Sequence, residues 1–439
     1  MSDSIDWDLS EEPGNELAKG APADDMVEGG RTDQCARQRL AWYKRAVFIA
    51  VTFAMAIIAL ELSLNVLCLL SDSAAAMLAT GERYPPVADA VLGRRPNPEH
   101  PEHDASGFRN ERVLNTASIV ALGDSQTYGT GVTRSQAWPQ QLAKRNGLPT
   151  YSMAFGGYGP TQSLALFDRA VSLKPRIIVE AFYTGNDLWD CFNMVYHRLQ
   201  FVDMKSDDEQ VLSEIRRLEG QQSVWHKFEP AKGRSVGKGP VRLLASKYLK
   251  IYGLLGAVKR ATYDRLWSTN RQGALSSGGR QIAFDVPPFR TVFAPVRRTT
   301  ALDPRDARIR EGHRLAIEAI RSMKTRATKA GIEFAVLLIP TKELVFREIA
   351  RSDPEVMPDT YWSLIRIERD VLERTKVLLE REGIDVVDAL PALQQCVKDG
   401  RQPYPVSDDG HPNATGQAAI ADAVHSALRR FGILPQAIP

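Results

Sequence analysis

The stretch Ser118-Ile-Val-Ala-Leu-Gly-Asp-Ser-Gln-Thr127 constrains the fold of this chain more than any other. Its apolar run, Ile119 to Leu122, is short and unbroken, as in a strand covered on both faces. It stops at Gly123-Asp124-Ser125, where small and capping residues turn a chain directly into a helix. Strand passing straight into helix is the start of a βα unit. In such a unit Ser125 stands at a helix N-terminus on the carboxyl edge of a sheet, where backbone N–H groups and the helix dipole face any developing anion. Taken alone, Gly-Asp-Ser is an ordinary turn.

The pattern repeats along the chain. Helices are expected around Ser135 to Arg145, Thr161 to Leu173 and Ser363 to Glu382, and after His411, where Ile420, Val424, Leu428 and Phe431 fall on one face. A further helix reads from Asp303 as N-cap and Pro304 at the first helical position to Gly331 as its stop, with Ile309, Ala316, Ile320, Met323 and Ala327 inward. Between them lie apolar strands at Thr150 to Phe155, Arg176 to Tyr183, Ile332 to Ile339 and Ile384 to Asp388. With Ile119 to Leu122 these predict an α/β fold: a three-layer α/β/α sandwich around a five-stranded parallel sheet of flavodoxin type.

Three later segments fall in order behind Ser125: Gly156-Gly157-Tyr158-Gly159, Gly185-Asn186-Asp187 and Asp408-Asp409-Gly410-His411. In these motifs the chain resembles the SGNH (GDSL-type) hydrolase family over about residues 104 to 432, apart from one long insertion. The resemblance implies a serine esterase with Ser125 as nucleophile, His411 as base and Asp408, at the family's Asp-x-x-His spacing, as the acid behind it; Asp409 is the local rival. It implies an oxyanion hole built from the N–H groups of Ser125 and Gly157 and the side-chain amide of Asn186. Glycine permits the close approach, and asparagine offers a donor that carries no charge. No cofactor and no metal are expected. The chain departs from the family pattern at Gln126, Ser152 and Thr184, none of them a catalytic group. Acyl-Ser125 chemistry serves hydrolysis and O-acyl transfer alike, and the motifs leave both open. Ile339-Pro-Thr-Lys-Glu343 and the lead-in Asp104-Ala-Ser-Gly-Phe-Arg-Asn110 look like those of relatives associated with exopolysaccharide acetylation. This favours an acylated cell-surface polysaccharide over a lipid ester, and polysaccharide-assembly proteins as partners. A non-catalytic carbohydrate-binding subunit is the rival of another class.

Residues 46–70 form an apolar run broken only by Thr52, Glu61, Ser63 and Asn65. As a helix this run is about 37 Å long, enough to cross a hydrocarbon core of about 30 Å. Its fourteen Leu, Ile, Val and Phe residues contribute roughly −6 kcal/mol on the insertion scale against about +3 for one central acid, so insertion wins. Arg31, Arg37, Arg39, Lys44 and Arg45 precede the run, which places residues 1–45 in the cytoplasm and the remainder outside it, at the inner membrane. The run is longer than a signal-peptide core, so an uncleaved anchor is expected rather than a cleaved leader. Residues 1–30 carry nine acidic side chains against Lys19, and residues 1–45 are expected to be a disordered tail.

Residues 71–112, rich in Pro and Arg, read as a linker in which His100 and His103 are solvated rather than metal-bound. The hydrolase domain is expected over 113–187 and 303–432. Between them, residues 188–302 break the alternation. From Trp225 to Arg298 this insertion carries fifteen Lys or Arg against Glu229, Asp264 and Asp285, interleaved with aromatics. It reads as a candidate cap, either a solvated lid, a groove for an anionic polysaccharide or a surface on anionic lipid. Nucleic acid is not an expected partner outside the cytoplasm. Cys191 and Cys396, both on the oxidising side, are expected to pair as a disulfide, with two buried thiols as the alternative.

Overall fold

A computed structural model of the 439-residue chain describes residues 25–78, 83–220, 240–266, 281–352 and 357–434. It falls into two units, 1–63 and 64–439.

The first unit is dominated by helix α1 (Asp25–Leu70), which continues past residue 63. Within it Ala41–Leu70, whose most apolar 18-residue stretch has a mean hydropathy of 2.4, is long and apolar enough to cross a membrane. The helical conformation reaches back through residues 25–45, correcting the expectation of a disordered tail there. From Arg31 to Arg45 the chain holds no glycine or proline, so nothing stops the helical hydrogen-bond ladder from running on. Residues 1–24 lie outside the described residues.

In the second unit, α2 (Asp72–Met77) and the hairpin β1 (Val87–Asp89) and β2 (Gly93–Arg95) lead to β3 (Ile119–Leu122). The chain then alternates through α3 (Ser125–Tyr128), α4 (Trp138–Asn146), β4 (Thr150–Ser152), α5 (Pro160–Ser172) and β5 (Ile177–Tyr183). The region expected as an insertion supplies α6 (Asp187–Phe192), α7 (Glu209–Gly220), α8 (Pro240–Tyr248), α9 (Lys250–Leu266), the hairpin β6 (Ile282–Val286) and β7 (Phe289–Phe293), and α10 (Pro295–Leu302). Alternation resumes with α11 (Ala307–Lys329), β8 (Glu333–Ile339), α12 (Lys342–Val345), α13 (Asp359–Arg381), β9 (Asp385–Asp388), α14 (Leu390–Lys398) and α15 (Ala414–Arg430). Helix α11 starts three residues later than the Asp303-Pro304 reading. Asp306 is its cap, accepting from the Arg308 N–H at 2.9 Å, while Asp303 closes a turn onto the Arg305 N–H.

The five-stranded sheet is parallel with order β4-β3-β5-β8-β9. Alternate residues feed two cores. Ile119, Ala121, Ile177, Val179, Leu337 and Ile339 face one layer, while Val120, Leu122, Ile178, Phe182, Phe334 and Val336 face the other. Cys191 belongs to the second core and Cys396 to the first, so the sheet separates them, and both are free thiols. The disulfide is therefore corrected: two groups buried on opposite faces of one sheet cannot meet.

Two further expectations give way to packing. The segment before β3 is not a solvated linker. Asn110 pairs with both main-chain groups of Ser152, as a neighbouring strand would at the free edge of β4 (2.9 Å each), and Tyr151 donates to Asp104 at 2.7 Å. Arg109 is buried between Glu102 and the carbonyls of Tyr128, Gly129 and Val132, clasping the end of α3. His103 meets the Tyr128 hydroxyl at 2.8 Å and stacks on His100, whose pKa burial lowers to about 4. Nor is the whole of 188–302 a cap. Phe284, Phe289 and Phe293 of the β6-β7 hairpin pack on Phe346 within the first core, and α6 packs against α11. Trp225, Phe228 and Trp267 lie outside the described residues.

Candidate active site

Ser125 opens α3 immediately beyond β3, in a turn that only glycine at 123 permits. Gly123 has φ +140°, and a Cβ there would stand 2.9 Å from that of Ala181 on the neighbouring strand. Asp124 caps the helix through Oδ1, which accepts from the Gln126 N–H at 2.8 Å, and its Oδ2 accepts from the Ser125 hydroxyl at 3.2 Å.

His411 arrives from the loop before α15. Its Nε2 lies 2.8 Å from Ser125 Oγ, within reach for proton abstraction, and its Nδ1 lies 2.5 Å from Asp409 Oδ1. The acid beside the ring is thus Asp409, not the expected Asp408, whose carboxylate instead accepts from Gln281 Nε2 at 2.8 Å. The reason is local. Asp409 Oδ1 also accepts from the His411 N–H at 3.0 Å, a two-residue turn that lays the carboxylate along the imidazole. Burial would raise the Asp409 pKa, but the hydrogen bonds and charge of His411 outweigh it and hold the carboxyl below its ordinary value. The preference of Asp-Gly for such turns was the available signal; the borrowed spacing overrode it.

That loop is pinned from below by a group the sequence reading left without a role. Lys342, buried at the start of α12, donates from Nζ to the carbonyls of Ser407 (2.9 Å) and Asp409 (3.0 Å) and to Thr291 Oγ1 (3.3 Å). Burial lowers its pKa to about 8. Next to it Glu343 accepts from the Ala294 N–H at 2.9 Å, ahead of α10. Glu368 of α13 accepts from the Thr341 N–H and the Thr184 hydroxyl, both at 2.7 Å. Thr184, a departure from the family pattern, is therefore a tie that holds the Asn186 turn to the Thr341-Lys342 turn. A Lys-Glu pair two residues beyond an apolar strand was the clue in the sequence.

Asn186 borders the same cavity as Ser125 and His411, and its amide donates to Asp190. Asp187 secures the turn by accepting from the Tyr183 N–H at 2.8 Å. Gly157 has φ +77°, and a Cβ there would meet Arg94, whose guanidinium holds the Gly156 carbonyl at 2.9 Å. A Cβ on Gly156 would come 3.8 Å from Ser125 Cβ, so the glycine turn lies against the nucleophile. Beneath the site burial raises four carboxyl pKa values: Asp124 to about 6, Asp190 to about 7, Glu180 to about 8, and Asp187 well above normal. Glu180, raised to about 8, is mostly protonated near pH 7 and adds little negative charge beneath a developing oxyanion, while Asp124 at about 6 stays mostly ionised.

The cavity over Ser125, about 400 Å³, has polar walls. Arg297 and Arg298 of α10 form one side, with Arg298 beside Gly410, where a Cβ would fall 2.0 Å from its Nη2. A second cavity of about 610 Å³ meets the other side of His411 and is bounded by Gly256 and Lys259 of α9.

The model of the GDSL-like lipase/acylhydrolase family matches residues 121–419. The chain belongs to this family. Its membership makes the chain an ester-bond hydrolase by class. Among solved structures it is similar to a catalytic mutant of an acetylxylan esterase from Geobacillus stearothermophilus, at 12% identity over 73% of this chain and 96% of that one, with a TM-score of 0.34. It is also similar to an extracellular lipase from Streptomyces rimosus (16% identity, 71% and 100% covered, TM-score 0.33) and to a GDSL-like lipase from Bacteroides thetaiotaomicron (11%, 71% and 88%, TM-score 0.30). No curated protein matches by sequence.

Proposed function

We propose that this family member is a membrane-anchored, extracytoplasmic serine esterase that removes or transfers acyl groups, acetyl foremost, on a cell-surface polysaccharide. The observation that carries the reading is the relay from Asp409 through His411 to Ser125 Oγ at 2.5 and 2.8 Å. In this reading Ser125 attacks the ester carbonyl as His411 Nε2 takes its proton, and Asp409 stabilises the imidazolium. The N–H groups of Ser125 and Gly157 and the Asn186 amide receive the oxyanion. The imidazolium then returns the proton to the departing sugar oxygen, leaving acyl-Ser125. Water or a second sugar hydroxyl completes the cycle. The cavity supports a sugar over a lipid chain, because the arginines, Asn186 and Asp408 offer hydrogen bonds where an acyl chain would need apolar cover. The apolar helix to Leu70, preceded by basic residues, supports an anchor with its N-terminus in the cytoplasm.

The test is labelling of the folded chain by a fluorophosphonate and turnover of an activated acetate ester, with Ser125→Ala as control. A folded chain that does neither refutes the enzyme reading in favour of a non-catalytic binding subunit. Adding oligosaccharide acceptors and detecting acetylated product by mass spectrometry then separates transfer from hydrolysis.

A further inference from the structure

Helices α8 and α9 expose apolar side chains that nothing described covers. Val241, Leu244 and Tyr248 follow one another at helical spacing on α8, and Leu255 and Val258 do so on α9; these five are 51–79% exposed. Across the two helices, Pro240 to Leu266, the chain carries Arg242, Lys247, Lys250, Lys259, Arg260 and Arg265 against a single acid, Asp264 near the end of α9. Apolar faces flanked by a large excess of cations are the pattern of helices that lie in a lipid headgroup region.

The chain path says which surface they meet. Helix α2 begins two residues after Leu70, and α9 rests on the residue that follows it: a Cβ on Gly253 would fall 2.2 Å from the Leu78 carbonyl oxygen. Arg83 adds a 2.9 Å hydrogen bond to the Lys247 carbonyl. From Leu70 to Leu78, mostly helical, the chain spans at most ~16 Å, against a headgroup layer ~5–8 Å deep on each side, so α9 stays within reach of the bilayer surface. Met77, 59% exposed, adds to the apolar surface there.

We propose that α8 and α9 form a second membrane contact, in which the apolar faces of Leu244, Tyr248, Leu255 and Val258 enter the outer headgroup region and the lysines engage anionic lipid. The inference rests on the anchor reading of α1. Because α9 also bounds the cavity beside His411, the contact holds that side of the catalytic cleft at the bilayer surface.

The test uses the full chain reconstituted in phosphatidylcholine vesicles with and without phosphatidylglycerol. In a Cys35→Ser, Cys68→Ser background, Leu255→Cys and, separately, Ile57→Cys carry an environment-sensitive fluorophore. The expected result is a blue-shifted label at 255, quenched by nitroxide at headgroup level, more strongly with phosphatidylglycerol and less after Lys247→Glu with Lys259→Glu. The label at 57 is expected to be quenched by nitroxide deep in the chains. Deep quenching at 57 with a water-like, unquenched label at 255 overturns the second contact and leaves the anchor standing. Loss of quenching at both positions overturns the anchor reading as well. A blue-shifted label at 255 that no lipid nitroxide quenches overturns the proposal in favour of a protein partner.

Discussion

Replacing Asp409 with Asn tests the relay at the point where structure and family spacing disagree. Asp409 Oδ1 lies 2.5 Å from His411 Nδ1, which places the centres of carboxylate and imidazolium charge about 4 Å apart. At an effective dielectric constant of about 20 that pair is worth ~4 kcal/mol, or ~10³ in rate at 1.36 kcal/mol per decade. Asp409 is partly solvent-exposed, and screening trims the expected loss to ~10²–10³. An amide at 409 also allows the tautomer that carries its proton on Nε2, where it cannot accept from Ser125. Asp408→Asn keeps an oxygen that can accept from Gln281 and a polar group at the cavity, removing only a charge that does not touch His411, so it is expected to stay within roughly threefold of wild type, the scale of one exposed hydrogen bond. The assay is kcat/KM for an activated acetate ester, with thermal melting to show that both variants fold. The reverse order, with Asp408→Asn crippled and Asp409→Asn nearly normal, refutes the reasoning.

Four further outcomes are expected. Asn186→Ala lowers kcat by about 10²–10³ with the fold intact; a change in KM alone contradicts an oxyanion role. Lys342→Met frees the Ser407 and Asp409 carbonyls and costs roughly 10- to 100-fold in kcat/KM, while in the wild type activity falls as pH rises through about 8 and the ammonium is lost; unchanged activity at pH 7 removes Lys342 from the support of the loop. Glu180, raised by burial from 4.5 to about 8, binds a proton in the folded chain that the unfolded chain releases, so its contribution makes stability fall as pH rises from about 4.5 to about 8; Glu180→Gln flattens that slope in denaturant titrations, and an equally steep slope in the variant refutes it. Intact mass after alkylation under denaturing, non-reducing conditions shows Cys191 and Cys396 both modified, whereas a protected pair contradicts their separation by the sheet.

Much of the fold was legible because local chemistry dictates it. The run Ile119 to Leu122 and the nearly continuous apolar strand before Pro340 can only be buried on both faces, and glycine at 123 and 157 marks turns no other residue takes easily. Ser125 stood out at a strand end and helix start, where α/β sheets gather their ligands, whereas His411 and Asn186 were legible through the resemblance of their motifs to the SGNH family. The lead-in from Asp104 to Asn110 was misread since its polar composition matches a linker, and only contact with the β4 edge and α3 gives those polar groups their partners.

The amino-acid order alone determined the five strands of the sheet and the main helices between them, where the nucleophile turn falls and that one helix is apolar enough to span a bilayer, because periodicity, turn chemistry and length act within a few residues. Tertiary structure decided that Lys342 and Thr184 brace the catalytic loops and that two cysteines lie on opposite faces of the sheet, whereas a two-residue turn sets which of two adjacent aspartates faces His411. The braces depend on groups 65 and 184 positions apart along the chain being brought within a few ångströms, and the cysteines on two distant segments packing on opposite sheet faces; local sequence carries no record of either.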